Sequence, residues 1–209
     1  MKKFVSAVLL SLVLTIGCEE LSPVLYRCYT MGYVQDDGAL KADDGNVYVF
    51  SAPEWTAGDR VYAVFDVISS LGDNHYKAQM LQCFTTLYKN PIVLDGKAVP
   101  DTLGTDGISI ENVWLAGGCI NMLNSVMDIQ GAAGKHYVNL VADSAVTKGD
   151  TLRLRLYQRT DYPAEPLGEA TPLRFYSSFP VSDLIPEKEY FVSLSWNWEG
   201  KDYNIVQGF

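Results

Sequence analysis

Apolar and polar residues alternate with a period of two along most of the chain after residue 24. Between residues 59 and 67 every second residue is apolar, namely Val61, Ala63, Phe65 and Val67. The residues between them form the opposite face, which carries Arg60, Tyr62 and Asp66. Strict alternation is typical of a β-strand with one buried face.

The same period recurs towards the C-terminus, and turn residues separate the segments that show it. Leucines occupy alternate positions in 151–157, and large apolar residues do so in 190–198. Asp-Gly pairs at 37–38 and 44–45 favour tight turns because glycine tolerates positive φ. No window after residue 24 sustains a helical period, so the pattern predicts an all-β protein of barrels or sandwiches.

One long segment, 75–88, changes its alternation phase. Tyr76, Ala78 and Met80 are apolar at even positions, whereas Leu81 and Cys83 are apolar at odd ones. A bulge near 80–81 would restore one buried face and bend the strand. Bends of this kind help a small barrel to close, so we expect an OB-like barrel in 24–90.

The alternation lapses after Pro91, and residues 95–107 are rich in Gly, Asp and Pro. This composition predicts a linker. We therefore expect an N-terminal domain over 18–94 that contains the OB-like barrel, a linker over 95–107, and an immunoglobulin-like β-sandwich over 108–209.

The N-terminus carries an export signal. Lys2 and Lys3 precede an apolar run at 4–16 that is too short to span a bilayer, and Gly17 and Cys18 follow. This arrangement resembles the bacterial lipobox, which implies cleavage after residue 17 and lipidation of Cys18. We expect a membrane attachment through that lipid, in the cell envelope and at the outer membrane, facing either the periplasm or the surface.

The charge balance excludes nucleic acid as a partner. The chain has 16 basic and 25 acidic residues, net −9, and loss of Lys2 and Lys3 with the signal leaves a net charge of −11. Such a chain repels phosphate backbones. The densest basic segment holds Arg153, Arg155 and Arg159 at alternate positions, and this pattern predicts one solvated strand face.

Three cysteines remain besides Cys18. Cys28 and Cys83 fall in predicted barrel strands, where either a disulfide between them or two free thiols would fit the pattern. Carboxylates in the two acidic turns could gather around calcium, but their spacing does not match an EF-hand, and solvated turn residues are the alternative. These carboxylates are Asp36, Asp37, Asp43 and Asp44.

Catalytic patterns are absent from the sequence. The two histidines, His75 and His136, fall in different predicted domains, and there is no nucleophile elbow, metalloprotease motif or phosphate loop. We predict no catalytic residue, no metal and no cofactor. Aromatic residues cluster near the C-terminus; Trp198 and Tyr203 are the candidates for an exposed binding platform, with core packing as the alternative.

Several segments, in order and spacing, resemble the NigD-like lipoproteins of Bacteroidota. They are DGNVYVFSA (44–52), GDRVYAVFDV (58–67), HYKAQMLQCFTTLYKNPIVL (75–94), ISIENVWLAGGCINM (108–122), KHYVNLVAD (135–143) and LRLRLYQRTDYPAE (152–165). The resemblance covers nearly all of the chain after the signal. It implies an OB-like domain, a β-sandwich and a lipid anchor, and it supplies no catalytic residues.

Two functional classes follow from these features. The first is a noncatalytic envelope lipoprotein that binds a protein or peptide, with an immunity or accessory role. The second is a lipoprotein that binds a neutral glycan and serves polysaccharide uptake, with the aromatic cluster as its contact surface.

Overall fold

The computed structural model describes residues 24–52, 54–143, 150–163, 168–185 and 190–208. These residues form fourteen β-strands and two single turns of 3₁₀ helix, at Asp101–Leu103 and Ser182–Leu184. The predicted all-β class is confirmed. Within the described part of the chain, no helix has the length and apolar character to cross a membrane.

The first five strands close into a barrel. They are β1 (Tyr26–Val34), β2 (Leu40–Ala42), β3 (Val47–Val49), β4 (Arg60–Gly72) and β5 (His75–Thr85). Their order around the barrel is β1-β2-β3-β5-β4, with β4 returning to β1. Among the strand pairs of the barrel, β3 and β5 form the parallel one, since a long connection that contains β4 separates them along the chain.

The barrel core follows the predicted alternation. Val61, Ala63, Phe65 and Val67 are fully buried and contact Leu40 and Tyr48 from the neighbouring strands. The predicted bulge is also present: Val64 pairs with Gln82 and Phe65 with Met80, so that Leu81 has no partner in the ladder. The bulge explains the phase change, because it returns Met80 and Cys83 to the same side as Phe65 and Ala63.

The remaining nine strands form two sheets. They are β6 (Leu87–Tyr88), β7 (Ile92–Val93), β8 (Ser109–Ala116), β9 (Cys119–Ile129), β10 (Lys135–Ala142), β11 (Thr151–Asp161), β12 (Ala170–Pro180), β13 (Phe191–Trp198) and β14 (Lys201–Gly208). The five-stranded sheet has the order β14-β13-β11-β10-β7, and the four-stranded sheet has the order β6-β12-β9-β8. We call this pair of sheets the two-sheet unit.

One hydrophobic core lies between the two sheets. The five-stranded sheet contributes the alternate leucines of β11, together with Leu140 and Leu194. The four-stranded sheet contributes Ile120, Met122 and Phe179, all with almost no exposed surface. The period-two pattern therefore marks the inner faces of both sheets.

The chain between the barrel and β8 packs against the two-sheet unit. Strands β6 and β7 both lie within the range predicted for the barrel domain, 18–94. Nevertheless, β6 pairs with β12 and β7 pairs with β10. The predicted linker, 95–107, contains the first 3₁₀ turn and lies on the outer face of the five-stranded sheet. Leu94 and Leu103 are buried there against Val141. The turn-forming composition of the segment did not predict this apolar contact.

A buried arginine joins the barrel to the four-stranded sheet. The guanidinium of Arg60, at the start of β4, donates two hydrogen bonds to Asp43 at 2.9 and 2.7 Å. It also donates to Ser178 Oγ at 2.6 Å and to Asn121 Oδ1 at 2.9 Å, across the junction. Its Cζ lies 4.5 Å from the centroid of the Tyr33 ring. Asp43 is therefore an ion-pair residue and not one of the solvated turn acids.

The β8–β9 turn allows the carboxylate of Asp43 to lie this close. Gly117 has a φ of 59°, and a Cβ at this position would overlap the Asp43 carboxylate. Asn121 also holds the turn, since its amide donates to the carbonyl oxygens of Ala116 and Cys119. The β8–β9 turn thus leaves space for the Asp43 carboxylate, and Asn121 contacts both the turn and Arg60.

Removing only the positive partner of this pair should destabilise the protein strongly. We expect Arg60→Met to lower the free energy of unfolding by about 3–5 kcal/mol, because it leaves the Asp43 carboxylate buried without a counter-charge. Arg60→Met combined with Asp43→Asn should recover part of that loss. Urea unfolding curves of the chain without its signal would measure both effects.

The matched control is Arg174→Met, which breaks an ion pair with Glu111 at the surface, where the Arg174 side chain is 70% exposed. Exposed pairs contribute at most about 1 kcal/mol. Equal losses in Arg60→Met and Arg174→Met would contradict the role given to the buried pair.

Candidate functional site

The contact between the barrel and the four-stranded sheet leaves an open cleft, the junction cleft. It has a volume of about 520 Å³ and is lined by Cys83, Phe84, Thr85, Leu123, Arg174, Phe175 and Tyr176. Strand β5 supplies one wall, and the outer face of β9 and β12 supplies the other. Clefts between packed units are common binding sites because two surfaces can contact one ligand.

Aromatic rings form the floor of the junction cleft. Tyr62 of the barrel stacks on Tyr176 of the four-stranded sheet, with ring centroids 4.1 Å apart and planes inclined by 13°. Phe84 lies 5.8 Å from the same Tyr176 ring and is 44% exposed. Burial, with Tyr62 as a further cause, raises the pKa of Tyr176 to about 12, so its hydroxyl stays protonated at neutral pH. The floor is apolar and carries no charge.

Charged groups stand at the rim of the junction cleft. Arg174 Nε donates to Glu111 Oε1 at 2.8 Å, so this arginine is neutralised at the surface. Burial raises the pKa of the Cys83 thiol, and the negative charge of Asp59 raises it further. Cys83 is therefore a neutral thiol at pH 7.

A second cleft, the sheet-end cleft, lies where several strands of the two-sheet unit end. Its volume is about 560 Å³, and it is lined by Thr105, Asp106, Gly107, Met127, Gln158, Thr160, Tyr162, Asn197, Trp198, Glu199 and Gly200. Trp198 is half-buried and forms part of the wall. The predicted platform residue is thus placed beside side chains that can donate and accept hydrogen bonds.

The other predicted platform residue, Tyr203, lies away from this cleft. It is 40% exposed and stacks on Trp196, with ring centroids 5.7 Å apart. Trp196 packs against the core between the sheets, as its alternation phase predicts. A ligand-binding role for Trp198 and Tyr203 remains a prediction.

Beside the sheet-end cleft is a polar network that the sequence did not reveal. His136 Nε2 lies 3.0 Å from Asp128 Oδ1, and its Nδ1 lies 3.0 Å from Thr160 Oγ1. Gln158 Nε2 lies 2.6 Å from the same Thr160 hydroxyl, and Tyr162 donates to Asp128. His136 is on a strand, as predicted, but its partners lie on other strands, 8 to 24 residues away.

The junction cleft was also missed by the sequence analysis. Tyr62 falls on the face of β4 that alternation marks as polar, and Phe175 and Tyr176 are adjacent, so one of them breaks the period. A strand with aromatic residues on both faces signals that both faces are covered. The pattern does not reveal which other segment covers the second face.

The structure places the cysteines for which a disulfide was considered. The disulfide between Cys28 and Cys83 is not formed; both are free thiols. Strands β1 and β5 lie on opposite sides of β4, so two strand spacings of about 4.8 Å each separate them, more than a disulfide can bridge. No group of three or more metal-binding side chains occurs among the described residues. Cys18 lies outside them.

The acidic turns hold their own backbone. Asp37 Oδ1 accepts the N–H of Ala39 at 2.9 Å, and Asp44 accepts both the backbone and the side-chain N–H of Asn46. Such hydrogen bonds are typical of turns in which a side chain replaces a backbone acceptor. These carboxylates therefore stabilise the hairpins around β2 and β3.

The network around His136 should make stability depend on pH. Hydrogen bonding to His136 is the main cause that lowers the pKa of Asp128. Its stabilising effect is therefore complete above the unfolded pKa, about 3.9, and is lost as the pH falls through the lower folded-state pKa. We expect Asp128→Asn to lower the thermal midpoint at pH 7 and to have little effect at pH 2.

The control is Glu54→Gln, which changes an exposed loop carboxylate. Thermal unfolding of both variants and the parent between pH 2 and pH 7 checks the expectation. A deficit of Asp128→Asn that is as large at pH 2 as at pH 7 would contradict it.

No protein-family model and no curated protein match this sequence. Solved structures do match it, each over 88% of this chain. A protein of unknown function, DUF1344, from Bacteroides vulgatus is 18% identical with a TM-score of 0.69, and 91% of its chain is covered. A NigD-like immunity protein from Bacteroides caccae is 18% identical with a TM-score of 0.60 and 92% coverage.

A candidate lipoprotein from Bacteroides fragilis is 14% identical with a TM-score of 0.58, and 96% of its chain is covered. At these identities the likeness shows the fold. Because both units are matched over almost the full length of each relative, the whole arrangement is shared and not just one sheet. The chain therefore has the fold of a NigD-like immunity protein, and the resemblance to the NigD-like family is confirmed at that level.

Proposed function

We propose that this chain is a noncatalytic lipoprotein of the cell envelope that binds a protein or peptide through the junction cleft. The observation that carries the proposal is the aromatic floor formed by the exposed Phe84 and the half-buried Tyr176. The fold shared with a NigD-like immunity protein and a candidate lipoprotein supports this class of function. None of the relatives described above has a name that states a catalytic activity.

The composition of the junction cleft suits a protein partner better than a sugar. Aromatic residues and arginine are enriched where proteins contact each other, and a few buried aromatic contacts supply most of the binding energy. Phe84, Leu123 and Tyr176 offer apolar surface, with Arg174 at the rim. A hydroxyl-rich ligand would find few hydrogen-bonding groups on this floor.

Charge indicates which partner fits. The chain carries a net charge of −9, and Asp59 and Glu111 lie near the junction cleft. An acidic surface attracts basic partners and accelerates their association. The proposed ligand is therefore an apolar or aromatic side chain on an extended segment that also carries lysine or arginine.

The predicted anchor leaves this cleft accessible. From Cys18 to Val24 the chain can extend about 20 Å at most, so a lipid on Cys18 would hold the start of β1 near the membrane. At the tethered end of the barrel Tyr26 pairs with Val67 of β4, whereas at the junction cleft Thr85 pairs with Val61, six residues away along the same strand. The junction cleft thus lies about 20 Å from the tethered end of the barrel.

In this arrangement the barrel acts as a stalk, and the two-sheet unit and the junction cleft face away from the lipid. Attachment at the outer membrane, towards the periplasm or the surface, is part of the proposal. So are the OB-like assignment of the barrel, supported by its strand order with one parallel pair, and the immunoglobulin-like assignment of the two-sheet unit.

A second candidate function is glycan binding at the sheet-end cleft, in polysaccharide uptake. The observation that favours it is the half-buried Trp198 beside Asp106, Thr160 and Asn197. Tryptophan faces stack on sugar rings, and the neighbouring groups can bond hydroxyls. Loss of glycan binding in Trp198→Ala, together with unchanged glycan binding in Phe84→Ser, would favour this candidate.

We expect lipid on Cys18, because Gly17-Cys18 directly follows the apolar run of the signal. Cells grown with an alkyne-labelled fatty acid should incorporate label into the parent chain and not into Cys18→Ala. The exposed-cysteine variant Cys83→Ala is the matched control and should be labelled like the parent. Equal labelling of Cys18→Ala and the parent would contradict the anchor.

The partner class can be tested with a displayed library of random peptides selected on the chain without its signal. Enriched peptides should combine an aromatic or aliphatic anchor with lysine or arginine. Their affinity should fall at least about tenfold in Phe84→Ser, because that substitution removes apolar contact from the centre of the cleft. Titration calorimetry with synthetic peptides measures the change.

The matched control is Leu71→Ser, since Leu71 is 57% exposed at the opposite end of the barrel. It should leave peptide affinity unchanged. Peptides that bind Phe84→Ser as tightly as the parent would contradict the assignment to the junction cleft.

A further inference from the structure

The arginines that alternate along β11 have separate structural roles. All three lie on the outer face of the five-stranded sheet, because the leucines between them face the core. Arg159 donates to the Thr102 carbonyl and to Asp161, and it lies over the Tyr137 ring. It therefore fastens the 3₁₀ turn to the sheet. Arg153 and Arg155 line a third cleft.

This third cleft, the arginine–serine cleft, has a volume of about 390 Å³. Its floor is set by the parallel register of β11 and β13, in which Arg153 is opposite Ser193 and Arg155 is opposite Ser195. Asn204 of β14 extends the second row, opposite Ser195. Leu94 and Val99, from the segment that covers the sheet, form an apolar wall together with Tyr157.

We propose that the arginine–serine cleft binds a uronic acid unit of an acidic glycan. Arg153 and Arg155 are about 7 Å apart along one face of β11, a spacing at which both guanidinium groups can contact one carboxylate-bearing sugar. The Ser193 hydroxyl donates to Asn204 Oδ1 and the Ser195 hydroxyl to the Leu154 carbonyl, so each can still accept a hydrogen bond from a sugar hydroxyl.

The hydrogen bonds of Arg155 leave capacity for a ligand. Among the described residues Arg155 makes one side-chain hydrogen bond, to Asp202 Oδ1 at 2.7 Å, although a guanidinium has five N–H donors. That ion pair is at the surface, with side-chain exposures of 37% and 65%, so water weakens it. A ligand carboxylate can share Arg155 with Asp202.

The mixture of donors and acceptors selects a sugar acid. Asp143 lines the cleft and Asp202 pairs with Arg155 at its rim, and carboxylates of this kind can accept hydrogen bonds from sugar hydroxyls. A ligand that fits must therefore bring a carboxylate for the arginines and hydroxyls for the aspartates. The apolar wall of Leu94, Val99 and Tyr157 suits the C–H face of a sugar ring.

The site is separate from the junction cleft, which lies on the four-stranded sheet. Its proposed ligand is also different from the neutral glycan of the sheet-end cleft, because two arginines face it. Binding here should weaken as salt is added, since screening reduces the attraction between exposed charges.

The test is calorimetric titration of the chain without its signal with trigalacturonate, triglucuronate, galactotriose and triglutamate. We expect at least one of the two uronate trimers to bind, and galactotriose and triglutamate to bind at least about tenfold more weakly. Arg155→Gln and Arg153→Gln should each reduce uronate affinity by a similar factor. Arg174→Gln, an exposed arginine of the other sheet, should not.

Thermal midpoints close to the parent value would show that the variants are folded. Failure of both uronates to bind, or binding that both arginine variants retain, would overturn the proposal. Equal binding of galactotriose would remove the role of the carboxylate, and equal binding of triglutamate would remove the sugar; either result also overturns it. Phe84→Ser should leave uronate binding unchanged, which separates this proposal from the peptide site.

Discussion

The arrangement of the two halves depends on one buried charge. Arg60 has no exposed side-chain surface, and taking a guanidinium out of water is costly unless its hydrogen bonds are replaced. The replacements come from both halves: Asp43 belongs to the barrel, whereas Ser178 and Asn121 belong to the four-stranded sheet. Neither half alone satisfies this side chain, so the charge favours the docked arrangement.

Several other features follow from that contact. The second face of β4 is covered, which brings Tyr62 onto Tyr176 and leaves Phe84 at the edge of the covered area. The β8–β9 turn needs glycine at 117 because the Asp43 carboxylate occupies the space of a side chain. The junction cleft lies beside this contact, where the exposed Phe84 and the half-buried Tyr176 meet.

The two sheets of the two-sheet unit have different surroundings. The four-stranded sheet carries the barrel on its outer face, whereas the five-stranded sheet is covered over a smaller area by the segment around Leu94 and Leu103. Arg153, Arg155, Ser193 and Ser195 line a cleft on another part of that outer face, which also exposes Tyr137 and Val206. In both sheets, side chains alternate between the inner face and the outer face. The two sheets therefore differ in which segments pack against their outer faces. Surfaces of different composition thus lie on one scaffold.

Local pattern determined much of this protein. Alternation in 59–67 and 151–157 predicted the inner faces of β4 and β11, and the phase change at 80–81 predicted the bulge, because side-chain direction in a strand depends on neighbouring residues alone. The export signal and the lipid on Cys18 stay predictions from the sequence, because both lie outside the described residues.

The pairing of distant segments could not be read in the same way. Whether Cys28 could reach Cys83, which side chain would neutralise Arg60, and that residues 87–93 would join both sheets depend on strand order. The partners of His136 and the walls of all three clefts likewise come from segments far apart in sequence. A residue's own face is a local property of the strand, whereas what covers that face is decided only when the whole chain packs.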